Sequence, residues 1–150
     1  MDKVEILILK NLLNNEEYAR KVLPFLRKEY FEVTSEQIVY EEISKFIGEY
    51  NKLATKEILC IEIENRKDVT DSSFKDVVGL VQSLEDSPSE FEWLINTTEK
   101  WCRDRAIYLA LMESIQIADG NDETKNRDAI PSILSDALGV SFDNHVGHDY

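Results

Sequence analysis

The chain has 150 residues, 43% of them hydrophobic and 31% charged, which suits one folded domain with a core that needs no disulfide or metal staple and is too apolar for intrinsic disorder. Its 30 acidic residues outnumber 17 basic ones, a net charge of −13 that excludes a general nucleic-acid-binding surface, since phosphate contacts require lysine and arginine. Five glycines and three prolines leave few turn signals, so long helices and an all-α class are predicted.

In chain order, Asp2 to Leu13 is apolar nearly all round and reads as a buried helix, although VEILILK alternates like a strand. Asn15 reads as the cap of a helix from Glu16 to Leu23, with two acids in its first turn, and Pro24 ends or re-aims it. Thr34 followed by Gln37 has the pattern of a capping box. The helix it opens aligns Val39, Ile43, Phe46, Ile47 and Tyr50 on one stripe and places Glu36, Glu41, Glu42, Lys45 and Glu49 elsewhere. Thr55 reads as the cap of a helix from Lys56 to Arg66. Thr70 or Asp71 starts another, in which Phe74, Val77, Val78, Val81 and Leu84 recur at three and four.

Ser87-Pro88 breaks the chain, because a residue before proline disfavours helix. Ser89 with Glu92 reads as a second capping box, and the next breaker is Gly120, so one helix from Glu90 to Asp119 is predicted, about 45 Å long. Phe91, Leu94, Ile95, Cys102, Ala106, Leu109 and Met112 line one side of it. Trp93, Trp101, Tyr108, Leu111 and Ile115 line a second, about 120° away. A helix apolar on two faces needs two packing partners. One is the segment Ala129 to Val140, which aligns Ile130, Ile133, Leu134, Ala137 and Leu138 and returns as the other arm of a helical hairpin. The remaining partner is expected to be another subunit.

Cys60 and Cys102 sit among apolar neighbours and are expected as buried, reduced thiols rather than a disulfide framework. The N-terminus lacks the cleavage site of a signal peptide, and the longest apolar run, Ala106 to Met112, is too short to span a membrane. A cytoplasmic protein with no membrane partner is the expectation.

Little in the sequence carries catalytic chemistry. It has no Gly-x-x-x-x-Gly-Lys-Ser/Thr loop, dinucleotide glycine pattern, Gly-x-Ser-x-Gly elbow or Cys-x-x-Cys pair. Asp143, His145, His148 and Asp149 are weak candidates for a metal, because a terminus makes a poor preorganised cage. Glu41-Glu42, Glu62/Glu64 and Asp119/Asp122 read as solvated faces rather than acid–base dyads. Arg20, Lys21, Arg27 and Lys28 form a basic cluster with glutamates nearby. Lys100, Arg103 and Arg105 read as salt-bridge partners across a subunit interface, and Trp93 and Trp101 as packing residues rather than base-stacking platforms.

Four stretches carry a resemblance: Arg20 to Val33 with Glu29-Tyr30-Phe31, Leu84 to Trp101 with Asp86-Ser87-Pro88 and Trp93-Leu94, Arg103 to Ile115 with Arg105-Ala106, and Ser141-Phe142-Asp143 followed by Val146-Gly147-His148-Asp149. In these the chain resembles the N-terminal domain of DnaB-type replicative DNA helicases of T-even phages, with the Arg105-Ala106 pair similar to the more distant bacterial DnaB pattern. The resemblance implies a globular helical head (residues 1–86), a projecting antiparallel helical hairpin (87–140) and the start of a linker (141–150) to an absent RecA-like motor. It further implies hairpins that pair between subunits as a collar over a hexamer, with Trp101, Tyr108, Leu111, Ile115, Ile133, Leu134 and Leu138 at the pairing surface. DNA primase would dock on that collar. ATP, Mg and DNA would be handled by the motor of a parent that unwinds DNA 5′ to 3′, and no catalytic residue or cofactor is expected in this chain. Two rival expectations are a stand-alone acidic phage adaptor or DNA-mimic inhibitor, and a metal-dependent hydrolase built on His145 and His148.

Overall fold

The structure, a computed structural model, describes residues 3–122 and 124–142. Among these every regular element is helical: α1 (Val4–Asn14), α2 (Glu16–Val22), α3 (Thr34–Tyr50), α4 (Lys56–Glu64), α5 (Asp71–Ser83), α6 (Phe91–Ala118) and α7 (Ile130–Leu138), with short 3-10 turns at Leu23–Phe25, Lys28–Tyr30 and Arg127–Ala129. The all-α class predicted from composition is what forms. No helix among the described residues is long and apolar enough to cross a membrane.

The chain divides into two compact units, 1–95 and 96–150, with the division falling inside α6. In the first unit α3 is the central helix, packing against α1, α4 and α5. Its core is Ile8, Leu9 and Leu12 from α1, Tyr18 and Val22 from α2, Val39 and Ile43 from α3, Leu59 and Ile63 from α4, and Val77, Val81 and Leu84 from the α5 segment, all fully buried. Tyr30 and Phe31, part of the motif that carried the resemblance, are buried too; Phe31 stacks on Tyr40 at 5.4 Å, and the Tyr40 hydroxyl donates to the Leu26 carbonyl at 3.0 Å. That motif is a plug in the core.

Three caps form where residue type foretold them. Asn15 accepts from the Tyr18 N–H, Thr55 from Ile58 and Thr70 from Ser73, the last in a reciprocal capping box. Two predicted caps shift. Val33, not Thr34, precedes α3, and the Gln37 amide turns back to donate to the Phe31 carbonyl at 2.7 Å. At α6 the Glu90 carboxylate, rather than Ser89, accepts from the Glu92 and Trp93 N–H groups; a full negative charge there answers the positive end of the longest helix.

The acids of α3 are a larger departure. Glu36 and Glu42, read as outward-facing, are 3% and 5% exposed. Burying a carboxylate requires a bonded cation. Lys3 supplies it for Glu36 at 2.8 Å, and that hydrogen bond raises the Lys3 pKa. Arg66 donates to Glu42 at 2.8 Å and Glu41 at 3.0 Å and also binds Asp68, whose carboxyl it holds below the usual range. The Glu41-Glu42 pair is therefore one end of an ion-pair network and not a solvated face.

Candidate functional site

The second unit is built on α6 from Asn96 onward; the whole helix of 28 residues spans about 42 Å. The helix stops where Gly120 takes a left-handed φ of +78°; its N–H bonds the Ile117 carbonyl, and that of Asn121 bonds Gln116, closing a Schellman turn. The Lys125 ammonium pairs with Glu113 and Arg127 donates to the Ala118 carbonyl, so the turn is tied to the last turns of the helix. The short helix α7 then returns over nine residues, with Pro131 in its first turn.

The return ends in a polar clasp. Glu99 is part-buried, and one of its oxygens accepts the Phe142 N–H at 2.8 Å and the Ser141 hydroxyl at 3.1 Å; Arg103, one turn on, donates to the Val140 carbonyl at 3.0 Å. The Phe142 side chain is buried. Arg103 is thus committed within its own chain, as are Lys100, paired with Asp104 at 2.9 Å, and Arg105, stacked 4.9 Å from the Tyr108 ring. Arg20 likewise serves Glu16 and Asn51, Arg27 pairs with Glu29, and Lys28 pairs with Glu41, which leaves the basic cluster of the first unit largely neutralised by acids.

The buried side of α6 runs through Leu94, Thr98, Cys102, Ala110 and Ser114, with Ala106 half-buried in the same series and Ile117 buried near the end. Steps of four advance the stripe by about 40° each, so it winds around the helix. Met112, placed on this side by the sequence pattern, is consequently 41% exposed. Burial pushes the Cys102 thiol up to about 12, with the nearby Glu99 charge adding to the effect. Cys60 is only half-buried, with the Gln82 amide 3.7 Å from its sulfur.

The opposite side of α6 is open. Tyr108, Leu111 and Ile115 are 49%, 48% and 49% exposed, Met112 lies beside them, and Trp101 is half-buried one heptad before Tyr108. Positions 101, 108 and 115 repeat at seven with Leu111 between, the spacing that lets one helix seat against another at a shallow angle. On α7, Ile133 and Leu134 are half-buried and Leu138 is 64% exposed. These side chains leave an apolar strip in water on a charged, folded protein. Trp93, in the first unit, is 52% exposed as well. His145 and His148 lie outside the described residues, and no group of metal-ligating side chains occurs among the described ones.

The chain is 34% identical to the DnaB-like replicative helicase of Enterobacteria phage T4 over 98% of its own length. It spans about a third of that relative, 32% of its length. No family model matches. The resemblance read from the four motif-bearing stretches is borne out by this comparison.

Proposed function

We propose that this chain is the self-association and partner-docking domain of a hexameric replicative DNA helicase, forming the collar through the open face of α6. What supports the reading is the continuous exposure of Tyr108, Leu111 and Ile115 on a helix whose other side is closed, together with a replicative helicase as the relative. Trp101 extends the contact at one end, and Ile133, Leu134 and Leu138 add the return arm. ATP hydrolysis, Mg binding and 5′ to 3′ unwinding belong to the parent's motor and not to these residues, which contain no phosphate-cradling loop. The same collar would receive DNA primase. Residues 1–86 act as its head, 87–140 as its hairpin and 141–150 as the start of the linker. The acidic-mimic reading loses ground because Glu36, Glu42 and Glu99 are spent on partners inside the chain.

Sedimentation of the wild-type chain up to about 100 µM is expected to show a dimer or larger species, by mass action. Leu111→Asp or Ile115→Asp should hold it monomeric with an unchanged helical circular-dichroism spectrum. A wild type that stays monomeric across that range overturns the proposal.

A further inference from the structure

A second apolar surface lies in the first unit, between α3 and α4. The C-terminal half of α3 and the helix α4 flank a groove of about 370 Å³ lined by Phe46, Tyr50, Ile58 and Ile61, with charged residues at its rim. Tyr50 is 60% and Ile61 52% exposed, although the sequence pattern put Tyr50 on the buried stripe. Tyr50 is held by its neighbours. The Tyr50 ring packs against Phe46 at 4.7 Å, and the next residue, Asn51, takes a left-handed φ of 56° as Arg20 donates to both its side-chain and its backbone oxygen. An aromatic pair fixed in this way meets a ligand with little ordering cost.

The charges around the groove select the occupant. Three carboxylates line it, Glu42, Glu49 and Glu62, against one ammonium, Lys45. Glu42 is buried and satisfied by Arg66, Lys45 sits 3.6 Å from Glu62, and among the described residues Glu49 has no bonded cation. The solvated rim therefore carries one surplus negative charge, on Glu49, on a protein whose net charge is −13. Since Tyr50 and Ile61 flank the groove with over half their surface in water, it continues onto open surface and suits a segment longer than a small molecule.

We propose that the groove between α3 and α4 docks a lysine- or arginine-rich amphipathic helix of a second protein, its apolar anchors seated against Tyr50 and Ile61 and its cations facing Glu49 and Glu62. The inference stands apart from self-association through α6.

The probe is a synthetic amphipathic peptide about four helical turns long, leucine on one face and lysine on the other, with a twin carrying glutamate for lysine. Each is titrated into the ¹⁵N-labelled chain and followed by amide chemical shifts. The lysine peptide should move amides of residues 42–62 first, and its affinity should fall as salt rises from about 0.05 to about 0.5 M. The double variant Tyr50→Ser, Ile61→Ser should weaken it about tenfold, and Glu49→Lys several-fold, with the thermal midpoint retained because these side chains are exposed. Leu111→Asp should bind the peptide as wild type does, which separates this groove from the pairing strip. Four results overturn the proposal: no binding, shifts spread over the acidic surface without preference for the groove, equal binding of the glutamate twin, or unaltered binding by the double variant. Loss of self-association in the double variant would identify the occupant as a second copy and overturn it too.

Discussion

In the first unit the helices share one closed core, and Ile43, Leu59, Val77 and Leu84 keep no exposed surface; in the second, most of a helix of 28 residues is followed by a return helix of only nine, and Tyr108, Leu111 and Ile115 stay half in water. One unit closes its own core. The other is a long helix with one side satisfied, and under the proposed function the first unit carries the stability and the second the association. Truncating an apolar residue should therefore have opposite signatures in the two. Leu59→Ala, which opens a cavity at a fully buried position, is expected to lower the unfolding free energy by about 3 kcal/mol in urea titrations. Leu111→Ala should change it by less than about 0.5 kcal/mol in dilute solution, while weakening self-association. Equal losses at the two positions would erase the distinction.

The polar tethers sharpen the same comparison. Arg66 holds the buried Glu42, so Arg66→Met strands a carboxylate inside the first unit and should cost about 3 kcal/mol. Glu99→Ala removes the part-buried clasp on residues 141 and 142 and should cost about 1 kcal/mol. Its clearest readout is faster hydrogen exchange at the Phe142 amide with little change at α1 to α5. A loss as large as that for Arg66→Met would mean that the second unit, too, depends on a buried ion pair.

Much of this was legible because the signals are local. Asn15, Thr55 and Thr70 announce helix starts by chemistry that acts within three residues, Gly120 ends α6 because its backbone must turn left-handed, and the stripe through Val77, Val81 and Leu84 needs only helical periodicity. What escaped depends on partners distant in sequence. Nothing near Glu36 or Glu42 points to Lys3 or Arg66, so acids in a chain rich in acids read as solvated. The winding of the buried side of α6 escaped because Thr98, Ala110 and Ser114 are too small or polar to register in a hydrophobic pattern. At the candidate surface, Tyr108, Leu111 and Ile115 were read as uncovered and are; the groove beside Tyr50 was missed because periodicity places a residue on a stripe without saying where the neighbouring helix ends.

The smallest expected effect separates the two units through their thiols. Cys102 lies wholly inside the second unit, and burial raises its pKa from 9.0 to about 12, so at neutral pH it is protonated and shielded from reagents; Cys60 of the first unit is half-buried. An aromatic disulfide reagent at pH 8 should modify Cys60 readily and Cys102 only as fast as the surrounding helix opens, with mild urea accelerating the second reaction alone. The same shift fixes a sign for alkaline stability. The folded state keeps a proton that the unfolded chain surrenders near pH 9, so the contribution is complete below that pH and is lost as the pH climbs toward about 12. Cys102→Ser, which has no such proton to keep, should flatten that alkaline decline in a series of melts between pH 8 and 11. If instead both thiols react at one rate in the native chain, α6 opens as easily on its closed side as on its exposed one, and the contrast between a satisfied and an unsatisfied face fails at its foundation.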